Sequence, residues 1–416
     1  MKMWNKAILH SDINHCYAQI EEMKFPQLRN VPMAVGGHEE SRHGIILTKN
    51  DMAKQYHLKT GESLRNAYEK CPNLVVIPPN YDDYMYYTEK VKDIYRDYSD
   101  YVESFGLDEA WIDISASQAL FGEPEVIAHI IQQRVLDELG LTVSIGVSYN
   151  KIFAKLGSDM IKPSGLVVIS EANYKDKVWP LPVEDLFYVG HASKEKLLRR
   201  GITTIGELAN QSSDYLKTFL GKNGEMLWYF ANGLDISEVA LSSFEREVKS
   251  VGNSITTPKD IKNLNDAKIV FYVLAESVAS RLKDNGLKGF VISIGLRNTN
   301  LEWISRQQKI EVATNISKEI MEVVMNLVKL HYDFKIPLRS IGISVSRLVK
   351  DGDITQLNLF VDEFKRNEEK QMDKTMDEIR NKYGFNSIKR CVVLLDEELT
   401  DFDPKGEHII HPVSYL

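Results

Sequence analysis

Two short acidic segments stand out for the chemistry they could perform. The first, AILHSDINHCYA, is an apolar run that delivers Asp12. The second, about a hundred residues on, is YVESFGLDEAWIDI, two alternating apolar runs joined by a Gly-containing turn that carries Asp108 and Glu109. Three carboxylates converging from two strands of one sheet are what holding two divalent cations beside a triphosphate requires. Mg2+ takes oxygen ligands in near-octahedral geometry and shares them with substrate phosphates and water. Two such ions, roughly 4 Å apart, stabilise both the attacking and the leaving oxygen of an in-line phosphoryl displacement. The pattern predicts a nucleotidyl transferase.

The elements that must position these acids follow from periodicity. Alternating apolar residues end at Asp12, and the helical stretch YAQIEEM comes next. Residues 21–74 read as an insert holding FPQLRNVPMAVGG, a strand-like GIILT and two short helices. NLVVIPPN reads as a buried strand closed by Pro78 and Pro79. Residues 81–100 read as a Tyr-rich amphipathic helix, with Tyr84, Tyr87 or Thr88, Val91 and Tyr95 at helical spacing. After the acidic hairpin the pattern predicts a helix at about 124–139, a strand in LTVSIGVS and a helix in NKIFAKLGSDMI that ends before Pro163. The order β-α-(insert)-β-α-β-β-α-β-α predicts a mixed sheet covered by helices, similar to a split ferredoxin-like fold.

Beyond it, residues 171–235 read as short helices with Gly turns. Residues 242–352 alternate strands (GFVISIGLRN, RSIGISVSRL) with helices at about 264–285 and 314–331, a β-α-β-β-α-β pattern. After Gly352 comes a linker, DGDITQLNLFVDE, and then a charged helix to about Lys382.

Composition narrows the class. At 416 residues the chain is too long for one ordinary core, so two to four domains are expected. Hydrophobic content of 43% and charged content of 26% are those of a soluble globular protein. No apolar run approaches the roughly 20 residues that span a bilayer, and the N-terminus leads straight into a strand without a cleavable signal pattern. Cys16, Cys71 and Cys391 are widely spaced, with no CxxC pair, which points to a reducing cytoplasm and away from structural zinc. The net charge of −8 hides an asymmetry: residues 242–352 carry 17 basic and 12 acidic side chains, a local excess of +5. A phosphate-tracking surface would need its positive charge gathered in this way.

DINHCYA, GLDEAWID, KLGSDMIKPSG and KSVGNSIT follow one another in an order and at a spacing that resemble the Y-family, lesion-bypass DNA polymerases of the polymerase IV/UmuC type. The resemblance runs from about residue 7 to at least residue 361. It implies an α+β, multi-domain, right-hand polymerase. The ferredoxin-like palm would be residues 1–20 and 75–170, and the small fingers residues 21–74. A helical thumb with helix-hairpin-helix-like turns would occupy residues 171–241, and a β-α-β-β-α-β little finger residues 242–352. A clamp-binding linker and helical tail would fill residues 353–416.

By the same resemblance Asp12, Asp108 and Glu109 are metal-binding carboxylates, with the Ile13 carbonyl as a backbone ligand for two Mg2+ ions (Mn2+ a possible substitute). Asp108 and Glu109 are also the catalytic acids. Asn14 supports the site without binding metal, and Asp113 is structural. Tyr17 matches the steric gate, whose ring excludes a 2′-hydroxyl; Cys16 beside it replaces a commonly aromatic residue. Thr48, Lys54 and Lys162 match triphosphate-binding positions, and Lys155 could share the face of Lys162. Two of these positions depart from the family: Asp51 stands where Tyr is usual and Lys54 where Arg is usual. Lys cannot copy the bidentate fork of Arg, so weaker nucleotide binding is expected, with Asp51 turned elsewhere or acting through water or metal.

Gly190 and Gly201 are the turn candidates for holding a DNA phosphate on backbone N–H groups. Lys249, Arg297, Arg306, Arg339 and Arg347 are candidates for tracking template and primer backbones. Gln356, Leu357, Leu359 and Phe360 look like a peptide that binds a β-type sliding clamp, which would tether the enzyme by effective concentration. Primer-template DNA and dNTP are the implied substrates, and the enzyme is expected to be a cytoplasmic monomer with no membrane partner and no proofreading exonuclease. Two other readings stay open on residues alone: a cyclase-like nucleotidyl enzyme, and a catalytically silent DNA- and clamp-binding repair factor.

Overall fold

The computed structural model describes residues 4–37, 44–244, 247–353 and 362–404. The chain divides near residue 245 into two units, each with its own hydrophobic core. In the first unit the strands are β1 (Ile8–Ile13), β2 (Met33–Gly36), β3 (Ile46–Lys49), β4 (Val75–Ile77), β5 (Val102–Phe105), β6 (Glu109–Asp113), β7 (Val143–Ser148) and β8 (Leu166–Ile169). Five of them form a mixed sheet in the order β5-β6-β1-β7-β8, antiparallel except for β7 with β8.

β1 is the middle strand and is buried along its whole length, including His10, Ser11 and Asp12. Its two faces differ, because side chains alternate across a strand. Leu9 and Ile13 join a core with Ala110, Ile112, Val143 and Ile145, covered by the helices Tyr81–Arg96 and Pro124–Leu139. Ser11 lies on that side too, hydrogen-bonded to the Tyr95 hydroxyl at 2.7 Å. His10 and Asp12 face the other way, towards the helix Lys151–Met160. That helix packs so closely on β7 that a Cβ on Gly146 would lie 1.9 Å from the Ala154 carbonyl oxygen. Gly146 therefore sets how near the helix and its lysines come to the sheet.

The segment expected as a buried strand at 74–78 behaves differently. β4 is only partly buried, and it pairs in parallel with β2 in a separate three-stranded sheet, β3-β2-β4, outside the five-stranded one. An apolar run closed by prolines carries no information about which partner it will choose. A third core gathers Phe153 and Leu156 with Val183, Leu197, Ile205, Leu216 and Leu227 from the short helices after residue 174.

In the second unit the order is β9 (Ser250–Ile261), helix Leu264–Asp284, β10 (Leu287–Asn298), β11 (Trp303–Thr314), helix Ser317–His331 and β12 (Leu338–Lys350). The strands make an antiparallel sheet in the order β11-β10-β12-β9. Both helices cover one face, packing on Ile292, Ile294, Leu296, Ile341, Ile343 and Val345.

The charged helix after the linker, Glu363–Tyr383, belongs to this unit. Buried Glu276 accepts from Arg380 at 2.8 Å and from Arg390, and Arg390 also reaches Asp373 at 2.9 Å. Asp373 in turn takes the Ser317 amide and hydroxyl, each at 2.7 Å. The Asn253 side chain donates to the Pro404 carbonyl at 2.9 Å, so the chain is held to the sheet domain well beyond the helix.

Candidate active site

β1 and β6 place the acids by register. Asp12 stands opposite Glu109 and His10 opposite Trp111, so all four leave the sheet on one face. Asp108 precedes β6 in the turn opened by Gly106 (φ +72°), and its carbonyl accepts the Ile13 amide at 3.1 Å. The hairpin turn and the end of β1 are thus tied together at the residues the sequence singled out.

Two lysines reach these acids from the helix Lys151–Met160 and the segment just after it, and a third, Lys151, takes a neighbouring acid. Lys151 pairs with Glu103 at 2.6 Å, Lys155 pairs with Glu109, and Lys162 lies 2.8 Å from both Asp12 and Asp159. The Lys155 ammonium is also boxed by Phe105 and Phe187, at 5.2 and 5.9 Å from the ring centroids. His10 was not picked out from sequence. Its Nδ1 shares a 2.8 Å hydrogen bond with Ser158, and its Nε2 lies 3.2 Å from Glu109 without hydrogen-bond alignment. A polar residue alternating with acids on a fully buried strand was the available signal.

Charge at the site is unevenly compensated. Burial pushes the Asp12 carboxyl up to about 7; Glu109 and Asp108 add to this, and Lys162 opposes it. Asp108 is likewise raised, by burial and then by Glu109. Glu109 goes the other way: burial would raise it, but His10 and Lys155 beside it hold it down at about 2. Among the described residues no three His, Cys, Asp or Glu side chains come together within reach of one metal ion. Asp12 and Glu109 are turned onto separate lysines instead. The donor chemistry still suits a hard divalent cation: the acids offer oxygen ligands only, from the adjoining β1 and β6 and the turn before β6, and a cation would favour the ionised form that burial disfavours at Asp12 and Asp108.

Asn14 supports its surroundings, its side chain bonded to Thr142 and Ser144, and Asp113 caps the turn at Ser115. The Tyr17 ring stacks on Tyr84, with centroids 4.3 Å apart and an 8° interplanar angle. Cys16 is buried next to it. Thr48 lies on β3, paired with Val35. Asp51 and Lys54 face each other across one helical turn at 2.6 Å, so the acid in the place of Tyr neutralises the lysine in the place of Arg.

Gly190 caps the helix His191–Leu198 and Gly201 follows it at φ +73°; among the described residues no atom would lie within 4 Å of a Cβ at either position. A cavity of about 340 Å3 runs from Lys155 and Asp159 to Tyr188 and Gly190. In the second unit Arg297 lies on β10, while Arg339 and Arg347 lie on β12, Arg347 at φ +51°. Arg306 lies on the edge strand β11 and Lys249 directly precedes β9, both exposed. Gln356, Leu357, Leu359 and Phe360 lie outside the described residues.

Residues 11–159 match the model of the impB/mucB/samB family, and residues 248–359 match that of its C-terminal domain. The chain belongs to the impB/mucB/samB family. It is 44% identical over 394 residues to DNA polymerase IV of Acetivibrio thermocellus, covering 95% of this chain and 99% of that one. It is 36% identical over 399 residues to DNA polymerase IV 2 of Bacillus subtilis, covering 94% and 95% respectively. A solved Y-family DNA polymerase chimera superposes with a TM-score of 0.73 at 22% identity, over 83% of this chain and 99% of the chimera. The Y-family assignment expected from the motifs and the α+β multi-domain fold both hold for the impB/mucB/samB chain. Among its described residues no helix is long and apolar enough to cross a membrane.

Proposed function

We propose that this protein is a template-directed DNA polymerase that extends primers past damaged bases by two-metal nucleotidyl transfer. The observation that carries the reading is Asp12 opposite Glu109, with Asp108 tied to Ile13, in a chain whose relatives are named DNA polymerase IV. The silent repair factor is disfavoured because all three acids are intact, and a cyclase-like enzyme would leave the second unit unexplained.

In this reading Asp12, Asp108, Glu109 and the Ile13 carbonyl hold two Mg2+ ions. When bound, that pair supplies the lowered pKa of the primer 3′-hydroxyl and neutralises the leaving pyrophosphate. Lys155 and Lys162 keep the acids apart from one another until then, and Lys162, Thr48 and Lys54 receive the triphosphate. Tyr17, braced by Tyr84, closes the sugar pocket to a 2′-hydroxyl. The five-stranded sheet serves as palm, the small sheet and its helices as fingers, and the short helices after residue 174 as thumb, with Gly190 and Gly201 offering amides to a primer phosphate.

The second unit serves as the little finger. Its helix-free face is low and hydroxylated: Ser293, Gly295, Ser340, Gly342, Ser344, Gly252 and Ser254 occupy matching register positions. DNA backbones can approach such a surface closely, with Arg297 and Lys309 on the same face supplying charge. A sliding clamp engaging residues 356–360, and a monomer acting in the cytoplasm, complete the proposal.

Primer extension with Mg2+ on plain and abasic templates tests it. Wild-type protein should extend both, and Asp108→Asn should lose roughly 10³-fold, about 4 kcal/mol of transition-state stabilisation. Full activity in Asp108→Asn would overturn the reading.

A further inference from the structure

Trp303 departs from its surroundings on the open face of the second unit's sheet. It is 60% exposed, whereas Trp111 in the first unit is buried. It pairs with Arg297 across β10 and β11, and the guanidinium lies 5.7 Å from the indole centroid. The neighbouring same-face position on β10 is Gly295, where a Cβ would sit 3.4 Å from Cζ3 of the indole. The ring therefore lies over the glycine rather than projecting into solvent, seated between Arg297 and the strand. Among the described residues the buried Nε of Arg297 has no hydrogen-bond partner, so the guanidinium beside the ring keeps a donor to offer. The nearest positions on this face of β10 and β12 are Ser293, Gly295, Ser340 and Gly342, so the indole is a tall apolar feature beside a low floor.

Serine hydroxyls and an arginine suit phosphate oxygens, whereas the apolar face of an indole does not. A duplex laid on a flat sheet offers deoxyribose rims between its phosphates, while its base faces stay stacked inside. We propose that Trp303 is a DNA-positioning residue that packs on a backbone deoxyribose of the primer-template duplex, with Arg297 engaging the adjacent phosphate. The contact rests on the polymerase reading above. It is apolar, so it adds affinity independent of sequence and without counterion release. It also fixes the height of the duplex on the sheet, since the serine floor on its own sets no register.

The test is binding of primer-template duplex to the full chain over a range of salt, with tryptophan fluorescence. Trp303→Ala should weaken DNA binding roughly three- to tenfold while leaving the slope of log K against log salt at the wild-type value. Lys309→Ala should reduce that slope by about one. Trp303→Phe should keep most of the affinity, which separates loss of the plate from any misfolding. Duplex DNA should shield wild-type fluorescence from acrylamide, and the shielded component should be absent in Trp303→Phe. Wild-type affinity in Trp303→Ala, or unchanged acrylamide access, would overturn the inference. So would a strong intrinsic quench confined to single-stranded template, which would mean stacking on an unpaired base. If wild-type protein binds no DNA at all, it is the polymerase reading that fails.

Discussion

Asp12 stands directly opposite Glu109 in the pairing of β1 with β6, yet the two carboxyls are driven in opposite directions, one up to about 7 and the other down to about 2. Both are buried. The difference lies in the partners: among the described residues Glu109 has Lys155 and His10, whereas Asp12 has Lys162, shared with Asp159.

A pH dependence of stability follows for the metal-free protein. A carboxyl raised on folding binds its proton more tightly in the folded state, so the Asp12 contribution is lost as pH climbs from about 4 to about 7. Glu109 acts oppositely: the stability it contributes above about 4.5 disappears as pH falls towards 2. In the presence of a chelator Asp12→Asn should therefore melt higher than wild type near pH 8, by on the order of 1–2 kcal/mol, and no higher near pH 4. Calorimetric scans at both values check this; a variant less stable at the higher one would refute it.

Tyr17 lies flat against Tyr84 and edge-on to Tyr81, 5.7 Å away, and the Tyr84 hydroxyl is fixed by Glu21 at 2.7 Å. A ring braced in this way has little room to swing aside, which suits the proposed role of excluding a ribose. Tyr17→Ala should raise the ratio of ribonucleotide to deoxyribonucleotide incorporation by roughly 10²-fold, measured as kcat/KM for matched nucleotides. An unaltered ratio would remove Tyr17 from the sugar pocket.

Glu276 is buried and bonded to two arginines from the C-terminal segment. Removing it takes the carboxylate from buried Arg380 and leaves Arg390 with Asp373 as its acid, which costs about 3–5 kcal/mol. Glu276→Ala should lower the urea midpoint and release residues 362–404 to protease, whereas Lys259→Ala, at an exposed pair, should change stability by less than about 1 kcal/mol. Equal effects would mean that the network contributes no more than a surface pair.

Replacing Leu359 and Phe360 by Ala should abolish synthesis stimulated by a sliding clamp and spare distributive synthesis without it. Processivity assays with and without clamp distinguish the two. Equal loss of both activities would show that these residues support the fold and do not act as a tether.

Sequence by itself marked most of the elements and singled out the acids. Period-two alternation marked β1 and β6, helical spacing marked 81–100, where the helix ends at Arg96, and the pattern placed another helix at about 124–139; Asp12, Asp108 and Glu109 stood out because acids at the edge of apolar runs have no packing reason to be there. Those signals are local, carried by neighbours within a few residues.

Tertiary structure decided what depends on distant partners. β4 joined β2 because strand pairing is a choice among exposed edges, which no single strand encodes. Lys155 went to Glu109 because Gly146 lets its helix settle onto the sheet. His10 became part of the site through register with Trp111, and Trp303 became a plate because Gly295 lies beside it. In each case the deciding term is a close approach between residues far apart in the chain, which only the assembled backbone brings about.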